Sequence, residues 1–413
     1  MFKPFRDKEI VLGVTGSIAA YKSCDIASRL VEAGACVRPV LSENAAHFIG
    51  KASLEGITGN PVVTGLFEPL PHPEIEHIAL SRRAALFLIA PATANIIAKA
   101  AQGIADNWLT TALLATRAPV LFAPAMNMYM YDHPATQANI ALLTERGAYF
   151  VGPGSGQLAC GDIGPGRLIE TQSILDVAAQ LLTQHKDFLG KRVLITCGAN
   201  QEPIDPVRYL GNRSSGKMGA ALAHVAQCRG ADVTVISGTM EVPLPHGVQI
   251  EHANTAMAML EAVEAHKNQT DVFIFAAAVA DYHAATLLKK KHKREAVNWS
   301  LEFTPNPDIA ASIGLNKSPG QIAVGFAAES SDILAQAKNK LERKKMDLVL
   351  ANEISGENNA IGAEEARTWL LHENGQVDEL PKMSKPDIAW KVLDAVAALG
   401  NFADNYNHDV HPS

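Results

Sequence analysis

The sequence predicts an α/β protein built as two doubly wound domains in tandem, and three observations carry that prediction. Its 413 residues are too many for one ordinary hydrophobic core. Short continuous apolar runs alternate with helical stretches, the pattern of parallel strands covered on both faces. The strand, glycine turn and helix that open the chain begin again near Lys191, so each half starts as a nucleotide-binding sheet does.

The first half opens with the apolar run Ile10–Val14, a glycine turn, and a helix predicted over about Ser17–Ala33. Cys36–Leu41, Leu86–Ala90, Val120–Ala123 and Tyr149–Val151 follow as strands, and residues 171–184 read as a closing helix. The second half opens with Lys191–Thr196 and a helix over about Gly216–Arg229. Strands follow at Asp232–Ser237, Val272–Ala276, Gln321–Phe326 and Leu348–Ala351. The polar stretch Gln184–Gly190 reads as the linker, which sets the domains at residues 1–188 and 189–413. The last dozen residues read as a frayed tail.

Composition narrows the function classes. A formal net charge of −7 supplies no broad attraction for nucleic acid or an anionic membrane, although a local basic pocket can still take an anionic small molecule. Five cysteines without a CxxC pair argue against a disulfide framework or a zinc site and for a reducing compartment. Neither a signal-peptide run nor a membrane-length apolar stretch is present, so the expected location is cytoplasmic.

Several strand ends carry residues able to do chemistry. Gly13-Val-Thr-Gly16-Ser17-Ile-Ala-Ala20 joins a strand to a helix, where small residues let backbone N–H groups approach a phosphate; a tight turn with no ligand fits equally well. Ala90-Pro91-Ala92-Thr93-Ala94-Asn95 is a second such end, readable also as a plain helix cap. Pro124–Tyr131 is a third, in which Asn127 could hold a carboxylate while its methionines could be core. His77 precedes a helix and could act as a base, though a lone histidine is more often structural. Cys160 lies in the glycine-flanked loop Leu158–Arg167, which suits a mobile flap carrying an acid or a small buried thiol.

In the second half, Gly211–Lys217 nearly spells a P-loop, but Met218 stands where that motif needs Ser or Thr for magnesium, so the P-loop reading is rejected. Gly216-Lys217-Met218-Gly219 still opens a helix suited to a phosphate. Ala276–Tyr282 ends a strand of small residues and puts Asp281 at the sheet edge, as a ligand contact or a helix cap. Lys289–Arg294 is a basic loop, by default a solvated one. Asn306-Pro307-Asp308-Ile309 starts a helix, with Pro at an early position and Asn306 available as a cap. Lys340 and Lys344 share a helical face, a small cost unless an anion sits between them.

Taken in order, the Gly13–Ala20 loop, His77, Ala90–Asn95, the Pro124–Met130 motif and the Cys160 flap make the front half similar to the homo-oligomeric flavin-containing cysteine decarboxylases over residues 8–183. Tyr131 is a minor departure from the Trp or similar residue usual in the bacterial pantothenate-pathway members. The resemblance implies FMN lined by Gly16, Ser17, Ser42, Ala92, Thr93 and Asn95. It implies decarboxylation made easy by oxidation of the substrate's thiol-bearing carbon, with His77 as base, Asn127 holding the carboxylate and Cys160 donating the proton of the return reduction.

The back half resembles the phosphopantothenate–cysteine ligases over about residues 190–400. Glu202–Arg208, Asn212–Gly219, Ala276–Tyr282, the lysine loop, Asn306–Ile309, Gly325–Glu329 and the Lys340/Lys344 pair carry the likeness. One stretch departs: Ala199-Asn200-Gln201 replaces residues that include a Thr and an Arg. The resemblance implies that CTP, with Mg2+, converts the carboxylate of 4'-phosphopantothenate to an acyl-cytidylate, from which the amine of cysteine displaces CMP. Ala276, Ala277, Asp281, Lys291, Asn306, Pro307, Asp308, Ile309, Phe326, Lys340 and Lys344 would contact CTP. Asn212 would act on the acyl-cytidylate, and Lys291 would close over the triphosphate, with Lys289 a rival. No metal ligands are assigned.

The order of the halves matches the bifunctional bacterial family of coenzyme A synthesis, which implies a flavoprotein decarboxylase fold followed by a ligase domain, both Rossmann-like. It also implies a homo-oligomer, trimers stacked into a dodecamer with dimeric ligase halves. A dehydrogenase would need GxGxxG with a downstream acidic residue, found in neither half. A merely flavin-binding protein would have no use for His77, Asn127 and Cys160 together.

Overall fold

The computed structural model describes residues 1–66, 76–158, 161–293, 298–354 and 362–403, the side chains of Glu76 and His77 excepted. The chain forms two compact units, Lys3–Thr183 and Gln184–Ser413, the latter joined by Met1–Phe2.

In the first unit, five parallel strands, β1 (Glu9–Val14), β2 (Cys36–Leu41), β3 (Leu86–Ala92), β4 (Val120–Pro124) and β5 (Tyr149–Phe150), lie in the order β2-β1-β3-β4-β5. Their interiors are Val, Ile, Leu and Phe because both faces are covered. Helices α1 (Ser23–Glu32) and α2 (Lys51–Thr58) follow the first two strands, and α3 (Glu76–Arg83) leads into β3. Then come α4 (Ala94–Gln102), α5 (Trp108–Ala115), α6 (Met128–Asp132), α7 (Pro134–Glu145) and α8 (Thr171–Leu182). Val11, Phe87, Ile89 and Phe122 meet Leu80, Ile97, Leu109 and Leu143 from α3, α4, α5 and α7 in one buried core. On the opposite face α1 and α8 pack together, against β2 and β3 respectively. An antiparallel hairpin, β6 (Gly154–Gln157) and β7 (Ile163–Arg167), follows β5.

The predicted helix after β1 comes in two pieces, a 3-10 turn over Ile18–Lys22 and then α1. The tighter turn lets Ala20 N–H reach the Ser17 carbonyl (2.9 Å), which satisfies a donor that an α-turn would leave free.

The second unit holds an eight-stranded sheet. Its strands are β8 (Arg192–Cys197), β11 (Asp232–Ser237), β12 (Gln249–His252), β13 (Val272–Phe275), β16 (Ile322–Glu329), β17 (Leu348–Glu353), β18 (Glu365–His372) and β19 (Val377–Ser384), in the order β12-β11-β8-β13-β16-β17-β18-β19. All pairs are parallel up to β17; β18 and β19 add an antiparallel edge. That edge was not predicted, because β18 alternates buried and exposed residues and β19 buries little, so neither shows the apolar run of a doubly covered strand. Two small ribbons, β9 (Glu202–Pro203) with β10 (Tyr209–Leu210) and β14 (Tyr282–Ala284) with β15 (Phe303–Pro305), stand outside the sheet.

Helices α9 (Lys217–Cys228) and α13 (Lys385–Gly400) cover one face of this sheet. Helices α10 (Ala256–His266), α11 (Ile309–Asn316) and α12 (Ile333–Arg343) cover the other. Helix α9 sits close on β8 because it has a glycine at the contact: a Cβ on Gly219 would lie 2.2 Å from Cys197 Sγ. Within the stretch Gln184–Gly190, Asp187 and Phe188 are buried, and Asp187 Oδ1 accepts from the enclosed Arg229 Nε at 2.8 Å. Among the described residues no helix is long and apolar enough to cross a membrane. Most of the expected C-terminal tail lies outside the described residues.

Candidate functional site

Open α/β sheets bind ligands beyond the carboxyl ends of their strands, at the point where the chain's winding reverses. In the first unit that point lies between β1 and β3, because β2 lies to one side of β1 and β3 and β4 to the other. The crevice there is bounded by Gly16–Ser17 after β1 and Thr93–Asn95 after β3. Thr15 ties the two ends together: its Oγ1 donates to the Pro91 carbonyl at 2.7 Å and accepts from Thr93 N–H at 3.1 Å. Thr93 Oγ1 also caps α4, accepting from Ile96 N–H at 3.4 Å. Ser17, Thr93 and Ser42 are half-buried and Asn95 is exposed, whereas Ala92 is fully buried in β3 and contributes only main chain, its carbonyl accepting from Ala125 N–H at 3.0 Å. Gly16 is required by close approach, since a Cβ there would meet Asn44 Cβ at 2.5 Å.

That Ala92–Ala125 bond brings the β4 end alongside. Asn127 follows as the cap of α6, its Oδ1 accepting from Tyr129 N–H at 2.9 Å. The β6–β7 hairpin docks on this segment: Met126 N–H donates to the Gly166 carbonyl at 2.9 Å, and a Cβ on Gly166, whose φ is +133°, would lie 2.2 Å from the Met126 carbonyl oxygen. The flap read from the glycine spacing is therefore a hairpin seated beside Asn127. Cys160 lies outside the described residues. His77 stands in the first turn of α3, and its side chain likewise lies outside them.

In the second unit the winding reverses between β8 and β13. Asn200, beyond β8, is fully buried; its Oδ1 accepts from Ala280 N–H at 2.7 Å, and its amide donates to Glu202 Oε1, which also accepts from Ala256 N–H at 2.7 Å. The departure at Ala199-Asn200-Gln201 thus supplies an internal brace between the ends of β8 and β13. Asn212 reaches the same loop, donating to the Val279 carbonyl at 2.9 Å. Ala276 and Ala277 open that loop and bond to Thr196 through their N–H groups, at 3.1 and 3.3 Å.

The cap of α11 is Asp308, not Asn306: Asp308 Oδ1 accepts from Ala311 N–H at 3.1 Å. Pro307 removes one main-chain donor just ahead of that cap. Asn306 is engaged elsewhere, its amide donating to the Ala280 carbonyl at 2.8 Å and its Oδ1 lying 2.8 Å from His283 Nδ1. Its own N–H donates to the Asp281 carbonyl at 2.8 Å, which joins the Asp281 loop to the start of α11. Lys344 Nζ pairs with Asp308 Oδ1 at 2.8 Å, and Lys340 Nζ donates to the Phe326 carbonyl on β16. Burial and the neighbouring Lys344 push the Lys340 ammonium below the ordinary lysine range, against the pull of Glu329, Asp308 and Asp281. Burial raises the Asp308 carboxyl, but Lys344, Ala311 N–H and Arg343 outweigh it and hold the group low.

Asp281, Asn306, Asp308, Phe326, Lys340 and Lys344 therefore converge from four parts of the chain. Ile309 is buried beneath them as the first residue of α11. Lys291 is exposed, and its segment is tied to Ile204–Arg208. Among the described residues no group of three or more His, Cys, Asp or Glu could hold a metal ion. Asn200, Glu202, Asp205 and Arg208 were not singled out individually from the sequence. Their bonds to Ala280, Ala256 and His292 reach far along the chain, and the sequence signals were only the Ala199–Gln201 departure and the Glu202–Arg208 segment.

Comparison with known proteins assigns both units. The flavoprotein family profile matches residues 3–183, and that of the DNA/pantothenate metabolism flavoprotein C-terminal domain matches residues 188–399. The coenzyme A biosynthesis bifunctional protein CoaBC of Vibrio vulnificus strain YJ016 is 41% identical over 394 residues, 95% of this chain and 98% of its own. The protein of the same description from Mycolicibacterium smegmatis is 43% identical over 408 residues, again 95% of this chain and 98% of its own. A crystal structure of the C-terminal domain of a CoaBC protein is 34% identical, covering 52% of this chain and 97% of its own, with a TM-score of 0.45.

Proposed function

The chain belongs to the bifunctional coenzyme A biosynthesis proteins, and from that membership we propose that its back unit ligates cysteine to 4'-phosphopantothenate with CTP and its front unit decarboxylates the product to 4'-phosphopantetheine. One observation supports both assignments: Gly16, Ser17, Thr93 and Asn95 border the reversal point of the first sheet, and Asn212 with the Ala276–Asp281 loop borders that of the second.

In the front unit the proposed cofactor is FMN. The residues fit it: the hydroxyls of Ser17 and Thr93 and the amide of Asn95 border one crevice, polar groups suited to a phosphate. When bound, FMN supplies a reversible two-electron acceptor for the thiol-bearing carbon of the substrate. Asn127, already fixed by its bond to Tyr129 N–H, presents its amide to the substrate carboxylate. His77 takes the proton in the oxidation, and Cys160 returns one on the flap.

In the back unit, Ala276, Ala277, Asp281, Asn306–Ile309, Phe326, Lys340 and Lys344 hold CTP, and Lys291 closes over its triphosphate. Mg2+ would come with the nucleotide and would offset charge on its phosphates. Ligation proceeds in two halves. The substrate carboxylate attacks the α-phosphorus and releases pyrophosphate; the amine of cysteine then attacks the acyl carbon and releases CMP. Asn212 serves the second half. By resemblance, the working form is a homo-oligomer.

Incubation with 4'-phosphopantothenate, cysteine, CTP and Mg2+, followed by mass analysis, tests the whole reading: 4'-phosphopantetheine, pyrophosphate and CMP should form. Purified protein should carry flavin absorbance, released on denaturation. Cys160→Ser should release CO2 while failing to form the thiol product. A colourless protein indifferent to added FMN would defeat the front assignment alone.

A further inference from the structure

The Glu202–Arg208 segment turns at Asp205, and that turn serves a different part of the chain. The Asp205 side chain is fully enclosed. Its Oδ1 accepts from the N–H groups of Val207 and Arg208, both at 2.8 Å. Its Oδ2 accepts from Arg208 Nη1 at 2.8 Å and from His292 N–H at 3.2 Å. Arg208 Nη1 donates in addition to the His292 carbonyl at 3.1 Å. Both main-chain groups of the residue after Lys291 are thus gripped by one carboxylate–guanidinium pair. Upstream, Leu288 N–H donates to the Ile204 carbonyl at 3.0 Å. Lys289, Lys290 and Lys291 lie between these two ties. The His292 ring stacks on Trp299 with centroids 4.3 Å apart, and the Arg208 guanidinium lies 5.6 Å from the centre of the same indole.

We propose that Asp205 is a positioning residue of the nucleotide-dependent step, holding the lysine segment in the register that presents Lys291 to the triphosphate. The inference rests on the role given to Lys291 above. Asp205 is enclosed behind the segment with both oxygens in use, so it acts through the backbone of His292 and not on the substrate.

Asp205→Asn separates the turn from the grip. The amide oxygen can still accept from Val207 and Arg208 N–H, while an NH2 group replaces the oxygen that faces His292 N–H and the guanidinium. In the full-length holoenzyme, CTP-dependent pyrophosphate release should fall about tenfold in kcat/KM, mostly through KM for CTP, the scale of one charge-assisted hydrogen bond. Decarboxylation of supplied 4'-phosphopantothenoylcysteine by the same preparation should stay at the parent rate.

A cycle with Lys291→Ala decides the mechanism. If Asp205 works through Lys291, Asp205→Asn costs nothing further once Lys291→Ala is present. Full additivity, or parent-level pyrophosphate release by Asp205→Asn, overturns the positioning role while leaving Lys291 as assigned. Parent-level release by Lys291→Ala overturns both and returns the lysine role to Lys289. Should Asp205→Asn lower the melting temperature of its unit, the same cycle is run with Arg208→Lys in its place. That variant keeps the charge but loses the fork that reaches His292, and non-additivity with Lys291→Ala supports the grip while additivity overturns it.

Discussion

Asp308 shows how one carboxylate can serve the fold and the site together. It caps α11 and pairs with Lys344, so the helix start and a candidate nucleotide contact are held by the same group. Its folded pKa lies below the ordinary carboxylate value, the net result of burial raising it and of Lys344, Ala311 N–H and Arg343 lowering it further. A depressed folded pKa contributes stability above the unfolded value, about 4, and that contribution is lost as pH falls through the folded value. Asp308→Asn keeps a capping oxygen and removes the charge. It should cost about 1 kcal/mol or less at neutral pH, since the group is partly exposed and screened. In urea melts the gap from the parent should shrink as pH drops below about 4. A gap of the same size in acid would mean the ion pair contributes nothing.

Among the elements, α9 depends most on a single contact. Gly219 lets it lie directly on Cys197 at the end of β8, and Cys197 is itself confined, its Sγ 3.3 Å from the Gly216 carbonyl oxygen. Burial pushes the Cys197 thiol up to about 12, which makes it a packing group and not a nucleophile. Gly219→Ala should destabilise the second unit by about 1–3 kcal/mol, the usual cost of overpacking. Adding Cys197→Ala removes the sulfur that the new methyl meets and should recover part of that loss, read as coupling in a double-mutant cycle. Strands β1, β3, β8, β13 and β17 were legible because each is a run of apolar residues, the mark of burial on both faces. The β18–β19 edge was not, since an alternating strand beside one that buries little makes a pattern that a loop can imitate. The brace at Asn200 was illegible for another reason: its bond to Ala280 joins positions 80 residues apart, and no local pattern records such a pairing. Asp308 was placed at the site from the motif, but the cap was given to Asn306, because both types cap helices and only the fold shows which one is free to do so.

At the scale of the whole chain, each unit carries its own core. Val11, Phe87 and Phe122 belong to one, and Ile195, Ile274 and Val324 to another. Leu12 is fully enclosed in β1, so Leu12→Ala should cost the first unit about 2–5 kcal/mol. Decarboxylation should then fail on mild warming, while CTP-dependent pyrophosphate release by the same sample persists at that temperature. Simultaneous loss of both activities would show that the units do not melt independently. The two sheets also share much of their wiring: the first runs β2-β1-β3-β4-β5, and the second places β12 and β11 on one flank of β8 and β13, β16 and β17 on the other. Set β12 aside and the parallel strands of the second sheet follow the order of the first, and a single parallel bridge, Val40 to Val63, stands outside β2 where β12 stands outside β11. Each reversal point therefore lies beside the first strand of its unit, so the chain meets the same winding twice and places its candidate residues by the same rule in both halves.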